Sequence, residues 1–294
     1  MTGSDNKRYI QHIDGVPFKL KSPFDFSFLS KYGRVFKVFD DQDSGNICFG
    51  VQSGGGKRYF VKFAGAPAEQ YTGDIEGAVG RLAAAVPVYR DLAHPALIRL
   101  VDAEEIGGGF AIVFDWVDAV CMHRMYPLDC LKFKTISSEA RLRIFGDILD
   151  FHAHVAAMGY VAVDFYEGSI MYDFAREKTV ICDIDFYKNT KAYGSSFLWG
   201  HMDCMSPEER TDGVLIDEIS NVYAMGATAF ALFADGDRSR EAWTLSDARY
   251  AVVKKAVSDT RGERQGSIRQ LMAEWESATD SMKFSADIKE RTRI

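Results

Sequence analysis

The chain has 294 residues, 47% of them hydrophobic and 13% aromatic, with a formal net charge of −7. That is enough to bury a large core in one or two domains, and the negative balance argues against a general nucleic-acid surface. Five cysteines without a C-x-x-C pair argue against a disulfide framework or zinc site and fit a reducing, cytoplasmic compartment; the polar start, Met1 to Arg8, carries no secretory pattern, and the longest apolar run, Val222 to Ala234, is too short to span a bilayer.

Residues 1–33 are polar and aromatic without a clear period, and read as an N-terminal extension. From residue 34 the pattern becomes that of short strands. Val35 to Phe39 alternates, an acidic turn (Asp40 to Asn46) follows, Ile47 to Gln52 returns, and Ser53-Gly54-Gly55-Gly56 leads into Tyr59 to Phe63. This is the pattern of an antiparallel meander. Asp74 to Leu92 predicts a helix with Val79, Leu82, Val86 and Tyr89 on one side, kinked or shortened by Pro87. Leu97 to Val101 and Phe110 to Phe114, joined by Gly107-Gly108-Gly109, complete a five-strand sheet in a unit spanning 34–117.

Residues 118–278 read as mainly helical. Ser138 to Met158 predicts a long amphipathic helix with a serine cap and a stop at Gly159. Two short apolar runs follow, Val161 to Val163 ending at Asp164 and Thr179 to Cys182 ending at Asp183. Ser206-Pro207-Glu208 has the form of a helix start, Val222 to Ala234 that of a buried helix, and Ser267 with Gln270 that of a capping box for a last helix. Residues 279–294 form a tail whose Lys289, Arg291 and Arg293 read as a solvated end. A β-rich first part and a helical second part give an α+β class.

Acids delivered just past short buried strands suit phosphoryl transfer, which needs one acid to orient a hydroxyl and one to hold a metal on phosphate. The stretch from Tyr160 to Tyr187 resembles the catalytic and metal-binding loops of the protein-kinase superfamily. The order Lys62, His94-Pro95, Asp115, Asp164, Asp183, Ser206-Pro207-Glu208, Arg264 extends that resemblance over about residues 34–278. It is the resemblance of a divergent bacterial-type serine/threonine kinase or a pseudokinase.

The resemblance implies a bilobal fold, with a small antiparallel sheet plus one helix and a larger helical lobe. It implies ATP and Mg²⁺ as cofactors. Asp164 takes the place of the acid that positions the acceptor hydroxyl, and Lys62 that of the phosphate-gripping lysine. Ile47, Gly45, Met171 and the backbone of Asp115 and Val117 fall at nucleotide-binding positions, with Phe114 at the back of the pocket and Phe60 above the base. The metal ligands are Asp183 or Asp185, with Ser169 standing where the family has asparagine. Strand register favours Asp183, whereas the letters Asp185-Phe186-Tyr187 favour Asp185.

Besides Ser169, this chain departs from the family pattern in four further places. It keeps one glycine, Gly45, of the glycine-rich loop. It has Ala162-Val163 before Asp164, Tyr166 in place of a lysine, and Ala85 where a helix glutamate pairs with the lysine. Without that glutamate, Lys62 is expected to reach Asp183 or Asp185 directly. Glu208 and Arg264 imply a buried structural pair. The acceptor implied is a protein serine or threonine. The alternatives are a pseudokinase scaffold and, on the strength of Asp185, a small-molecule kinase of the aminoglycoside or choline type. Neither nucleic acid nor membrane is expected as a partner. Thr190, Ser195 and Ser196 are candidate regulatory phosphosites.

Overall fold

The computed structural model describes residues 9–189, 192–193 and 202–278. Thr190, Ser195, Ser196 and the C-terminal tail lie outside the described residues. The described chain is mixed α/β, with antiparallel sheets and six α-helices. Among the described residues no helix is long and apolar enough to cross a membrane. The chain divides into two compact units, residues 1–135 with 157–189, and residues 136–156 with 190–294.

The first unit opens with a hairpin of β1 (Tyr9–Ile13) and β2 (Val16–Leu20). The sequence reading missed it, because its apolar residues are too few and too exposed on β1 to show an alternation. β3 (Arg34–Phe39), β4 (Asn46–Gln52) and β5 (Arg58–Ala64) form the expected meander. After α1 (Ile75–Asp91), β6 (Leu100–Ile106) and β7 (Gly109–Asp115) complete a five-stranded sheet in the order β3-β4-β5-β7-β6. One face carries Phe49 and Phe63, packed against Phe18, Phe24, Phe26 and Phe28 from the N-terminal segment. The opposite face carries Lys62, in register with Cys48 and Ile112.

Two expectations shift here. The first strand after His94-Pro95 begins at Leu100 rather than Leu97. Residues 96–98 pair instead with the strand that delivers Asp183: Ile98 N–H donates to Ile181 O at 2.8 Å and Ile181 N–H to Ala96 O at 2.7 Å. Helix α1 runs continuously through Pro87 to Asp91. Pro87 is exposed, and the helix is not shortened at it.

The remainder of this unit holds β8 (Val120–Cys121), α2 (Pro127–Phe133), β9 (Ile170–Asp173) and β10 (Lys178–Ile181), the three strands forming a sheet in the order β10-β9-β8.

The second unit contains α3 (Ser138–Ala157, its last residue belonging to the first unit), the pair β11 (Ala192–Tyr193) and β12 (Leu215–Ile216), α4 (Glu218–Ala234), α5 (Asp247–Ala256) and α6 (Ile268–Ser277). Its core stacks Phe145 on Trp275 and Phe233 on Trp243. Gly226 in α4 admits α5 closely, since a Cβ there would meet Ala256 and Val257 at 2.8 Å. Ser267 caps α6, accepting from Gln270 N–H at 3.1 Å, while Gln270 Oε1 accepts from Gly266 N–H at 2.8 Å, one residue before the cap.

Ser206-Pro207-Glu208 does not open a helix. Residues 206–213 form consecutive turns, closed by Glu209 N–H to Ser206 O and Thr211 N–H to Glu208 O. The two acids that would suit a first helical turn are engaged elsewhere. Glu208 binds the Arg264 guanidinium with both oxygens, at 2.6 and 3.0 Å, and Glu209 Oε2 accepts from Ser206 N–H and Oγ–H, both at 2.7 Å.

Candidate active site

Lys62, Asp115, Asp164, Asp183 and Asp185 all lie in the first unit. β5 presents Lys62 on the sheet face opposite the phenylalanine cluster. Its Nζ donates to Asp183 Oδ1 and to Asp185 Oδ2, each at 2.6 Å. Burial alone would push this ammonium down, but Asp183 and then Asp185 outweigh it and hold the group well above the usual lysine range. Lys62 is therefore a fixed cation, and both acids proposed as its substitute partners bind it at once.

The two carboxylates are not equivalent. Asp185 is 11% exposed and has both oxygens occupied, Oδ2 by Lys62 and Oδ1 by the Tyr89 hydroxyl at 2.8 Å. Asp183 is 41% exposed, and its Oδ2 has no partner among the described residues. Of the pair, Asp183 is the one with an oxygen left for an incoming group.

Asp164 and Asp183 share an unusual backbone. Their φ angles are 62° and 58°, and they are two of only five non-glycine residues with positive φ among the described residues. Aspartate tolerates this left-handed region better than most side chains, and strain of this kind collects at functional sites. Backbone bonds hold both loops. Val161 N–H donates to Lys188 O at 2.7 Å and Lys188 N–H to Val161 O at 3.0 Å, tying the approach to Asp164 to the exit from Asp185. Cys182 N–H donates to Ser169 O at 3.0 Å, tying the end of the loop after Asp164 to the residue before Asp183.

The same two acids act on common neighbours. Burial, then Asp183 and Asp164, push the Tyr166 phenol up; burial, then Asp164 and Asp183, do the same to Tyr187. Ser169 lies between the loops, fully buried, and its Oγ has no hydrogen-bond partner among the described residues.

Mg²⁺ is held in phosphate sites by one or two carboxylates, with water and substrate oxygens completing the shell, rather than by an all-protein cage. Asp183 Oδ2 and the orphaned Ser169 hydroxyl are hard oxygen donors and fit that role. Among the described residues, no group of three or more His, Cys, Asp or Glu could hold a metal ion unaided.

The nucleotide-side residues fare unevenly. Ile47 is in register with Phe63 and fully buried on the phenylalanine face, so it cannot line the Lys62 side. Side chains alternate along a strand, so Ile47 and its neighbour Cys48 point to opposite faces of the sheet. Cys48, opposite Lys62, is the residue that faces the site, and burial pushes its thiol up to about 12. Gly45, with φ +88°, is packed against α1: a Cβ there would meet Ala78 at 2.8 Å and the Tyr71 ring at 2.9 Å, and Arg81 donates to Ser44 O at 3.3 Å. The turn is pinned to the helix, not open beneath the sheet. Asp115 turns its carboxylate to Arg99 and Lys57, and its N–H donates to Arg99 O at 3.0 Å. Val117 follows the end of β7, and Met171 sits in β9 in register with Cys121. Phe60, Phe39 and Tyr126 form an aromatic row, with Phe39 at 5.7 Å from Phe60 and 6.4 Å from Tyr126.

Tyr89 and Tyr126 were not foreseen as site residues. Tyr89 read as one more apolar position on α1. The available signal was its place one helical turn beyond Ala85, on the face that the missing acid would have occupied. No protein-family model matches this chain, and no curated protein matches it.

Proposed function

We propose that this chain is an ATP-dependent phosphotransferase of protein-kinase-like, bilobal architecture, which moves the γ-phosphate of Mg·ATP to a hydroxyl, with serine or threonine of a protein as acceptor. The observation that carries this reading is the ion pair of Lys62 with Asp183 at 2.6 Å, beside a second strained acid, Asp164, that acts on the same tyrosines. One cation for phosphate, one acid with an oxygen in reserve and one acid for the acceptor are the parts phosphoryl transfer needs.

In this reading Lys62 grips phosphate, Asp164 orients the acceptor hydroxyl and takes up its proton, and Asp183 with Ser169 would hold Mg²⁺. When bound, the metal supplies positive charge against the phosphate oxygens. Cys48, Met171 and the backbone at Asp115 and Val117 would flank the base. The buried Glu208–Arg264 pair supports the protein-kinase branch over a small-molecule kinase, because it accompanies the Ser206-Pro207-Glu208 segment. The test is Mg²⁺-dependent transfer from labelled ATP to a generic protein substrate, set against a metabolite panel.

A specific observation favours a second reading, a nucleotide-binding or scaffolding pseudokinase. The Tyr126 ring lies edge-on to Phe39 at 6.4 Å, and Phe39 is in register with Cys48 on the Lys62 side of the sheet, 5.7 Å from Phe60. A ring so placed crowds the space a base would use. Nucleotide binding without turnover would be the signature of this reading.

A further inference from the structure

We propose that Tyr89 is a positioning residue: its hydroxyl fixes Asp185, and through Asp185 it sets where the Lys62 ammonium stands. The catalytic meaning of this assignment rests on the phosphotransferase reading; the geometry does not.

The Tyr89 hydroxyl is used twice. It donates to Asp185 Oδ1 at 2.8 Å and accepts from Ile184 N–H at 3.2 Å, so it grips the loop by both a side chain and the backbone. Asp185 passes the constraint on, since its other oxygen binds Lys62 at 2.6 Å. The ring has no freedom to withdraw. Tyr89 is 3% exposed, stacks edge-on against Phe114 at 4.8 Å, and holds on to an isoleucine that is itself fully buried. A relay of three groups thus runs from α1 to the lysine.

The position explains why a phenol does this work. Ala85 is fully buried and offers no polar atom, so α1 cannot reach Lys62 through an acid there. Tyr89 is one turn further along the same face and carries a longer side chain. It brings no charge. An acid on α1 would have set a third carboxylate beside one lysine, whereas a neutral hydroxyl orders Asp185 without adding to the repulsion. Any displacement of α1 along its axis would move Tyr89, release Asp185 and leave Lys62 to Asp183 alone.

The test is a double-mutant cycle on the full chain, Tyr89→Phe and Asp185→Asn singly and together, read at fixed pH by the rate at which an N-hydroxysuccinimide acetate labels Lys62 relative to exposed lysines. Phenylalanine keeps the ring packing, and melting curves confirm folding of each variant. Tyr89→Phe is expected to speed Lys62 labelling about threefold or more, and to add nothing in the Asp185→Asn background, since interacting residues are non-additive. Unchanged labelling in Tyr89→Phe, or an equal effect in both backgrounds, overturns the assignment. If the native chain transfers phosphate, Tyr89→Phe is also expected to raise KM for Mg·ATP more than it lowers kcat; an equal fall in both variants' kcat with KM unchanged would count against it. The labelling arm requires no ATP. A native chain without phosphotransfer but with the expected labelling cycle removes the enzyme reading and leaves the positioning role standing.

Discussion

Lys62 Nζ stands 2.6 Å from Asp183 Oδ1 and 2.6 Å from Asp185 Oδ2, so one buried ammonium bridges two carboxylates separated in the chain by Ile184 alone. The bridge joins the central strand of the sheet to the acidic loop, and its loss should be felt in both stability and binding. Lys62→Met leaves two acids facing each other. Removing one member of a buried pair costs about 3–5 kcal/mol, and water reaching Asp183 reduces this to about 2–3 kcal/mol. Denaturant unfolding is expected to show that loss, with ATP binding abolished. Unfolding curves that superimpose on those of the native chain would mean that the bridge contributes nothing.

Ile47 and Cys48 are neighbours in sequence with opposite faces. Ile47→Val should cost about 0.5–1.5 kcal/mol of stability through lost core packing, with ATP affinity unaltered. Cys48→Leu should lower ATP affinity, because the added volume points to the Lys62 side. Titration of both variants with a fluorescent ATP analogue distinguishes them, and the reverse pattern would contradict the strand register.

Arg264→Ala leaves Glu208 buried with Arg261 as its remaining cation, at 3.2 Å. A loss of about 3–5 kcal/mol is expected, the size associated with a broken buried pair. Thermal unfolding of the variant checks this. Phosphotransfer per folded molecule should be unchanged, since the pair lies in the other unit from Lys62 and Asp164.

Burial, relieved in part by Ser206, raises the Glu209 carboxyl to about 6 from an ordinary 4.5. The folded state therefore holds a proton that the unfolded chain releases, and stability falls as pH rises through this window. The contribution is about 2 kcal/mol for a shift of this size. Glu208, raised by burial but lowered overall by Arg264, its backbone hydrogen bond and Ser220 together, acts in the opposite sense: its contribution is present above the ordinary glutamate range and is lost on acidification. Glu209→Gln separates the two. The variant is expected to lose the decline in stability between about pH 4.5 and about pH 6, measured by denaturant unfolding across that range.

Much of the fold was legible because its elements carry their own periods. The meander β3-β4-β5, helix α1 and the buried α4 follow from alternation, helical spacing and an unbroken apolar run. What escaped the reading lacked such a signal. α2 is seven residues long, and Leu128 and Leu131 on it are exposed, so no face repeats. Residues 97–101 have strand-forming side chains, but whether they join β7 or β10 is decided by tertiary pairing. Within the site, the type and order of Lys62, Asp164, Asp183 and Asp185 were readable, and the gap at Ala85 already pointed Lys62 toward the two aspartates. The face of Ile47 is decided by the pairing of β4 with β5, which sets Ile47 opposite Phe63 and Cys48 opposite Lys62. Tyr89 was hidden because a buried tyrosine on an apolar helix face does not announce where its hydroxyl goes.

The most direct measurement is Mg²⁺-dependent transfer of labelled γ-phosphate from ATP by the native chain, Asp164→Ala and Asp183→Ala. The account predicts transfer by the native chain, reduced by about 10²-fold or more in Asp164→Ala with ATP binding retained, and lost in Asp183→Ala together with the dependence on Mg²⁺. A native chain that binds ATP yet transfers nothing to protein or to any metabolite in the panel, or an Asp164→Ala variant as active as the native chain, would contradict it.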